Sequence, residues 1–174
     1  MARQLWLLRH AEAEPHGTRT DAQRRLTARG EGQARAAGLA LVALGAGFDS
    51  VLFSPKVRAK QTAELAGAEW SKDQCERLQV HPPLAGGFDV SQALARLAVL
   101  PADGRLLLVG HEPDLSGVIG NLIGGRVDLK KGGLAVVRLD GSPAGPVSGE
   151  LTVLLRPREL ALIAGLGVVP IDGN

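Results

Sequence analysis

Two apolar runs in this chain stop at a histidine. Leu5–Leu8 leads into Arg9 and His10 in "LWLLRH", and Leu106–Val109 leads through Gly110 into His111 in "LLLVGHEPDLS". Only four histidines occur in 174 residues, so two in this setting call for a reason. An imidazole that titrates near neutrality can act as nucleophile, proton carrier or metal ligand. A third segment, "SPKVRAKQTAELA", follows another apolar run. Ser54 suits a helix N-cap, Pro55 the first helical position, and Arg58 lies one turn in, where side chains lean back toward the N-terminus. A helix start presents unpaired N–H groups and a positive dipole end. Arg9, Arg58, an imidazole and that helix start would together receive a dianionic tetrahedral group, with phosphate the obvious candidate.

The elements that must position these residues alternate along the chain. Leu5–Leu8, Ser50–Phe53, Leu106–Val109, Leu134–Leu139 and Leu151–Leu155 read as strands, several as continuous apolar runs expected of a sheet covered on both faces. Ala34, Ala37, Gly38, Leu41 and Leu44 share one helical face after an N-cap at Thr27, with Gly45 and Gly47 as stops. Further helices are predicted from Ser54, from Ser91, and after His111, where Leu115, Val118, Ile119, Leu122 and Ile123 form an apolar stripe. Strands alternating with helices give an α/β layered domain, and the last two strands read as a hairpin forming an antiparallel edge. In such sheets ligands bind beyond the carboxyl ends of the strands. If the first, second and third of these strands are neighbours, His10, His111 and the Ser54 helix converge on one rim.

Composition limits the alternatives. The formal charge is +2, basic residues are scattered, aromatics make up 3 %, and there is no tyrosine, so a platform for nucleic acid is poorly supplied. No apolar run reaches membrane-spanning length, and a single cysteine, Cys75, excludes an internal disulfide. A soluble, cytoplasmic protein with one domain over residues 1–174 is expected. His16 and His81 read as surface residues, and Cys75 has no histidine beside it. A two-histidine metal site with Glu12, Glu112 or Asp114 is the competing reading, but no tight ligand spacing supports it, and the adjacent arginine opposes a cation. No metal and no cofactor are expected.

These segments resemble a known family. "LLRHAEAE" is similar to the Arg-His-Gly signature of the histidine phosphatase superfamily, which includes the phosphoglycerate mutases, with Ala11 in place of the glycine. "SPKVRAKQTAE" and "VGHEPDLS" resemble its next two elements, and "DAQRRLTARGEGQA" resembles a stretch of the SixA-type phosphohistidine phosphatase branch. The resemblance runs from residue 7 to 116. It implies a three-layer αβα sandwich with a mostly parallel sheet. It also implies His10 as the phosphorylated nucleophile, Arg9, Arg25 and Arg58 as phosphate-binding residues, and His111 as the second pocket histidine.

The chemistry then turns on the leaving group. Neutral His10 needs one nitrogen toward phosphorus and the other donating to a backbone carbonyl, while three arginines and a protonated His111 supply the positive charge. An alkoxide leaves only if protonated. The family's acid sits in an insertion whose equivalent here, "LQVHPPLAGGFDVSQ", is short and holds only Asp89, better read as a helix start. Glu112 is the possible acid, with Glu12 a further substitute. Because imidazole takes its proton from solvent, this favours protein phosphohistidine, as in a phosphorelay, over small phosphate esters as substrate. A non-catalytic phospho-binding module would not need His10. In the long stretch "AEAEPHGTRTDAQRR", Arg25 is predicted to point inward with Asp21 holding either it or the loop, while Arg19 and Arg24 are solvated.

Overall fold

The computed structural model describes residues 2–140 and 147–166. In chain order the elements are β1 (Gln4–Arg9), α1 (Ala28–Ala43), β2 (Ser50–Phe53), α2 (Val57–Gly67), α3 (Lys72–Cys75), β3 (Leu78–Val80), α4 (Val90–Ala98), β4 (Arg105–Gly110), α5 (Asp114–Ile123), β5 (Leu134–Asp140), β6 (Ser148–Leu155) and α6 (Pro157–Ile163). The six strands form one sheet in the order β3-β2-β4-β1-β5-β6. The first four are mutually parallel, while β5 runs antiparallel to β1 and β6 antiparallel to β5.

The continuous apolar runs have a two-sided explanation. Successive strand residues point to opposite faces, and here both faces are covered. Leu5, Leu7, Leu106 and Leu108 pack with Ala93 and Leu97 of α4 and Leu115, Val118 and Ile119 of α5. Trp6, Leu8, Leu107 and Val109 face the other way, against Ala37 and Leu41 of α1, Ala59 and Ala63 of α2, and Leu160 of α6. The three-layer arrangement of the resemblance is the observed one.

Two helix starts differ from the sequence reading, and two short elements were not expected from it. The helix expected at Ser54 begins at Val57 with Lys56 as N-cap, because the Ser54 hydroxyl accepts from the Lys56 N–H at 3.2 Å and bonds His111, leaving Pro55 in the connecting turn. The helix expected at Ser91 begins at Val90, with Asp89 and Gln92 closing a capping box. Short β3 and α6 lack a periodic signal of their own, since β3 has only three residues and is half exposed. Leu160 of the tail Leu160–Val169 packs on the core, while 167–169, like residues 141–146 of the final hairpin connection, lie outside the described residues. Among the described residues, no helix is long and apolar enough to cross a membrane.

Candidate active site

The topology places the two histidines side by side. Arg9 and Gly110 are register partners at the ends of β1 and β4, and Phe53 of β2 pairs with Val109. His10 N–H donates to the Gly110 carbonyl at 3.0 Å and Ser54 N–H to the Val109 carbonyl at 3.0 Å, which holds the three chain exits level. From the β5 side, Gly132 N–H reaches the carbonyls of His10 at 2.9 Å and Arg9 at 3.2 Å. Gly132 adopts φ +71°, a region that disfavours side chains. The two imidazole centroids are 5.1 Å apart.

The hydrogen bonds assign the tautomer of His10. Its Nδ1 lies 2.7 Å from the Ala11 carbonyl oxygen, which can only accept, so Nδ1 carries the proton. Its Nε2 lies 3.2 Å from Arg58 Nε, which can only donate, so Nε2 offers a lone pair. Burial, reinforced by Arg58 and Arg9 and opposed by the Ala11 bond, pushes the His10 pKa down to about 3. His111 is likewise lowered to about 3, chiefly by burial and then by His10 and Arg58. Both rings are neutral at pH 7, so the protonated His111 expected from the sequence is corrected: burial first, then His10, Arg58 and Lys56, oppose a charge there, and Asp21 only partly offsets them. Its Nε2 bonds Ser54 Oγ at 2.7 Å, while Nδ1 is buried without a partner.

Arg58, 4 % exposed, reaches His10 from the first turn of α2. Two further residues of that helix brace the site: Thr62 Oγ1 accepts from Ala11 N–H at 3.1 Å, and Gln61 Oε1 from Leu26 N–H at 2.8 Å. Arg9 donates from Nη1 to the Leu129 carbonyl at 2.9 Å, its Nε has no partner, and burial lowers its pKa while leaving an arginine charged.

The inward arginine of the 11–27 stretch is Arg24, which corrects the expectation for Arg25. Arg24 is 6 % exposed and donates to Asp21 Oδ1 from Nε at 3.2 Å and Nη2 at 2.8 Å, and to the Glu14 carbonyl at 2.7 Å. Arg25 is exposed and contributes only its backbone, its N–H donating to Glu14 Oε2 at 3.0 Å and its carbonyl accepting from Glu14 N–H at 2.8 Å. The chain here is extended, as an isolated bridge between Ala13 and Leu26 shows, so alternation puts Arg24 on the same side as buried Leu26. Counting two back from the apolar Leu26 is the sequence signal that finds it. Close approach fixes the base of this stretch: a Cβ on Gly30 would lie 1.9 Å from the Glu12 carbonyl oxygen.

These groups line a cavity of about 420 Å³. Arg9, Arg24, Lys56, Arg58 and Lys131 face it against the carboxylates Asp21, Glu112 and Asp114. Lys56, Lys131 and His16 join the lining although no apolar pattern marks them, and His16 is exposed, as expected of a surface residue. Glu112 is half-buried with its pKa raised by that burial, and its Oε1 has no partner. The other carboxylates weighed as acids are engaged elsewhere: Asp89 caps α4, and Glu12 accepts from Thr27 Oγ1 at 2.8 Å at the start of α1. Asp114 accepts from Phe88 N–H at 3.0 Å. Among the described residues no group of three or more His, Cys, Asp or Glu side chains is disposed to hold a metal ion.

Comparison with known proteins bears on the family and the fold. The family model "Histidine phosphatase superfamily (branch 1)" matches residues 5–84. An uncharacterised protein of Picosynechococcus sp. is 35 % identical over 143 residues, covering 78 % of this chain and 84 % of that protein. A solved structure of the protein histidine phosphatase SixA complexed with tungstate superimposes with a TM-score of 0.77 at 25 % identity, over 90 % of this chain and 99 % of that one. The alpha-ribazole phosphatase of Shigella flexneri shares the fold, with a TM-score of 0.67 at 24 % identity over 88 % of this chain and 96 % of that one.

Proposed function

The chain belongs to the histidine phosphatase superfamily and is a phosphatase, and we propose that it works through a phosphorylated His10, without a metal, on protein phosphohistidine. The observation that carries this reading is the tautomer of His10, with Nδ1–H held by the Ala11 carbonyl and Nε2 turned toward Arg58. In the first step the Nε2 lone pair forms the bond to phosphorus while the bond to the leaving nitrogen breaks, the electron pair departing with an imidazole protonated by solvent. The Nδ1 proton stays on Nδ1, donated to the Ala11 carbonyl. As phosphorus approaches, Arg58 Nε–H releases the Nε2 lone pair and donates to a phosphoryl oxygen instead. Water then attacks phosphorus and releases phosphate, restoring His10. Arg9, Arg24 and Arg58 stabilise charge on the equatorial oxygens, the main demand of phosphoryl transfer. His111, held by Ser54, presents its unpartnered Nδ1 to the same group.

Two features support a macromolecular phosphohistidine. The connection between β3 and α4 spans only residues 81–89, leaving little to cover the cavity. The SixA structure, described as a protein histidine phosphatase, carries tungstate, a tetrahedral oxyanion. One observation favours small phosphate monoesters instead: Glu112 lines the cavity and is held toward its protonated form, as an acid for an alkoxide must be.

Turnover of a phosphohistidine-bearing protein and of a panel of phosphate monoesters, both in EDTA, separates the two. Preference for phosphohistidine, abolished in His10→Ala and retained in Glu112→Gln, is the expected result. Preference for the esters, abolished by Glu112→Gln, would replace it with the monoesterase reading.

A further inference from the structure

Asp21 is joined to every cation on one wall of the cavity. Its Oδ1 accepts from Arg24 Nε and Nη2, at 3.2 and 2.8 Å, and its Oδ2 from Lys56 Nζ at 2.9 Å and Arg58 Nη2 at 3.2 Å. Its backbone carbonyl accepts from Arg58 Nη1. Lys56 first, then Arg24, hold the Asp21 carboxyl well below the usual carboxylate range, so it is ionised at any working pH. Nothing in the phosphoryl-transfer steps requires this carboxylate. Indeed a negative charge beside a phosphate site weakens phosphate binding.

The geometry supplies a reason for it. A guanidinium is planar, with its five N–H directions fixed relative to one another. The Nη1 and Nη2 groups of Arg58 both grip Asp21, one through the backbone and one through the side chain, which fixes the plane and leaves Nε as the edge facing His10 Nε2. Arg24 anchors Asp21 in turn, and is itself fixed by the Glu14 carbonyl at 2.7 Å. Without Asp21 the Arg58 fork would be free to swing toward an incoming phosphate and bind it bidentately, a tighter but differently directed grip.

Resting on the reading of His10 as nucleophile, we propose that Asp21 is a positioning residue that sets the rotation of Arg58 and gives up phosphate affinity for alignment of the phosphoryl group with His10 Nε2. Such a residue separates binding from turnover, which a residue that merely stabilises the loop does not.

The test is Asp21→Asn, which keeps the shape and removes the charge. Its kcat on p-nitrophenyl phosphate should fall by about tenfold or more, as misalignment does. The inhibition constant of inorganic phosphate should at the same time become about threefold or more tighter, from the loss of a neighbouring negative charge. An unchanged kcat, or kcat and phosphate affinity falling together, overturns the proposal. Should Asp21→Asn fail to fold, Asp21→Glu decides. It keeps the charge but moves it, so a lower kcat with phosphate affinity held supports positioning, and two unchanged constants overturn it. Absence of wild-type turnover on both p-nitrophenyl phosphate and a phosphohistidine-bearing protein would strike the His10 reading itself and this proposal with it, whereas normal wild-type turnover on either one, which then serves as the substrate for the variants, confines any failure to Asp21.

Discussion

The parallel strands carry polar residues at both ends, and the two ends treat them differently. At the amino ends Gln4, Asp49, Asp103 and Arg105 line a cleft of about 250 Å³. Asp49 is exposed, and it accepts from Arg105 N–H at 2.8 Å and faces Arg77 at 3.9 Å. Exposed pairs of this kind are solvated and contribute little. At the carboxyl ends His10, Ser54, Arg58 and His111 are buried. Among the described residues, four buried side-chain polar atoms lack a hydrogen-bond partner. Three of these, in Arg9, His111 and Glu112, are at the carboxyl ends, and the fourth is Arg3 Nε. Leaving such atoms unpaired costs stability, so a concentration of them marks where a polar ligand completes the bonding. The same strands thus carry solvated polarity at one end and reserved polarity at the other.

The largest effect that would break this contrast is at His10. Replacing it with alanine is expected to lower turnover by about a thousandfold or more, and to remove acid-labile phosphate from protein quenched during turnover. Labelling that persists in the variant would move the nucleophile elsewhere. Next comes the pair Arg24 and Arg25, neighbours in sequence and opposite in burial. Arg24→Ala should lower kcat/KM by about ten- to a hundredfold, and Arg25→Ala by less than about twofold. Equal effects would contradict the inward assignment of Arg24.

Acid should act on the carboxyl rim before it reaches the rest. The pKa values of His10 and His111 fall from an ordinary 6.5 to about 3 on folding. The unfolded chain therefore binds more protons between those values, and stability rises with pH across the window. It is complete above about 6.5 and is lost as pH falls toward 3. Glu112, raised by burial, runs the other way near its ordinary value and offsets part of the loss. Urea unfolding at pH 7 and pH 5 should show this loss in the wild type and a smaller one in the His10→Ala/His111→Ala double variant. An equal loss in both would place the acid sensitivity outside the rim. The smallest expected effect is at the opposite end, where Asp49→Asn should change stability by less than about 1 kcal/mol and leave kcat/KM untouched.

Much of this was legible before any coordinates. Apolar runs unbroken by alternation require burial on two faces, and Leu5–Leu8 and Leu106–Val109 obtain it from helices on either side of the sheet. The switch from apolar run to Arg9-His10 and to His111 marks a strand leaving the sheet, so the chemistry-bearing residues could be picked out by type and position. The backbone carbonyl on His10 Nδ1 was foreseeable from the tautomer that a nucleophilic imidazole needs.

What required tertiary structure was every choice between neighbours in sequence and every contact between distant segments. The stretch from Glu12 to Leu26 has no periodic pattern, and its direction is set by the Ala13–Leu26 bridge and by Gln61 holding Leu26 N–H. Only that register puts Arg24 inside and Arg25 outside. Likewise Ser54 could have capped a helix. Because β2 pairs with β4, its hydroxyl lies 2.7 Å from His111 Nε2 and the helix begins later. The neutrality of His111 also depends on how deeply it is buried and how near the other cations come, quantities no linear pattern encodes. Residue type and hydrophobic pattern are local and were fixed by the chain, whereas side-chain direction and protonation depend on groups that other segments bring alongside and were decided by the packing.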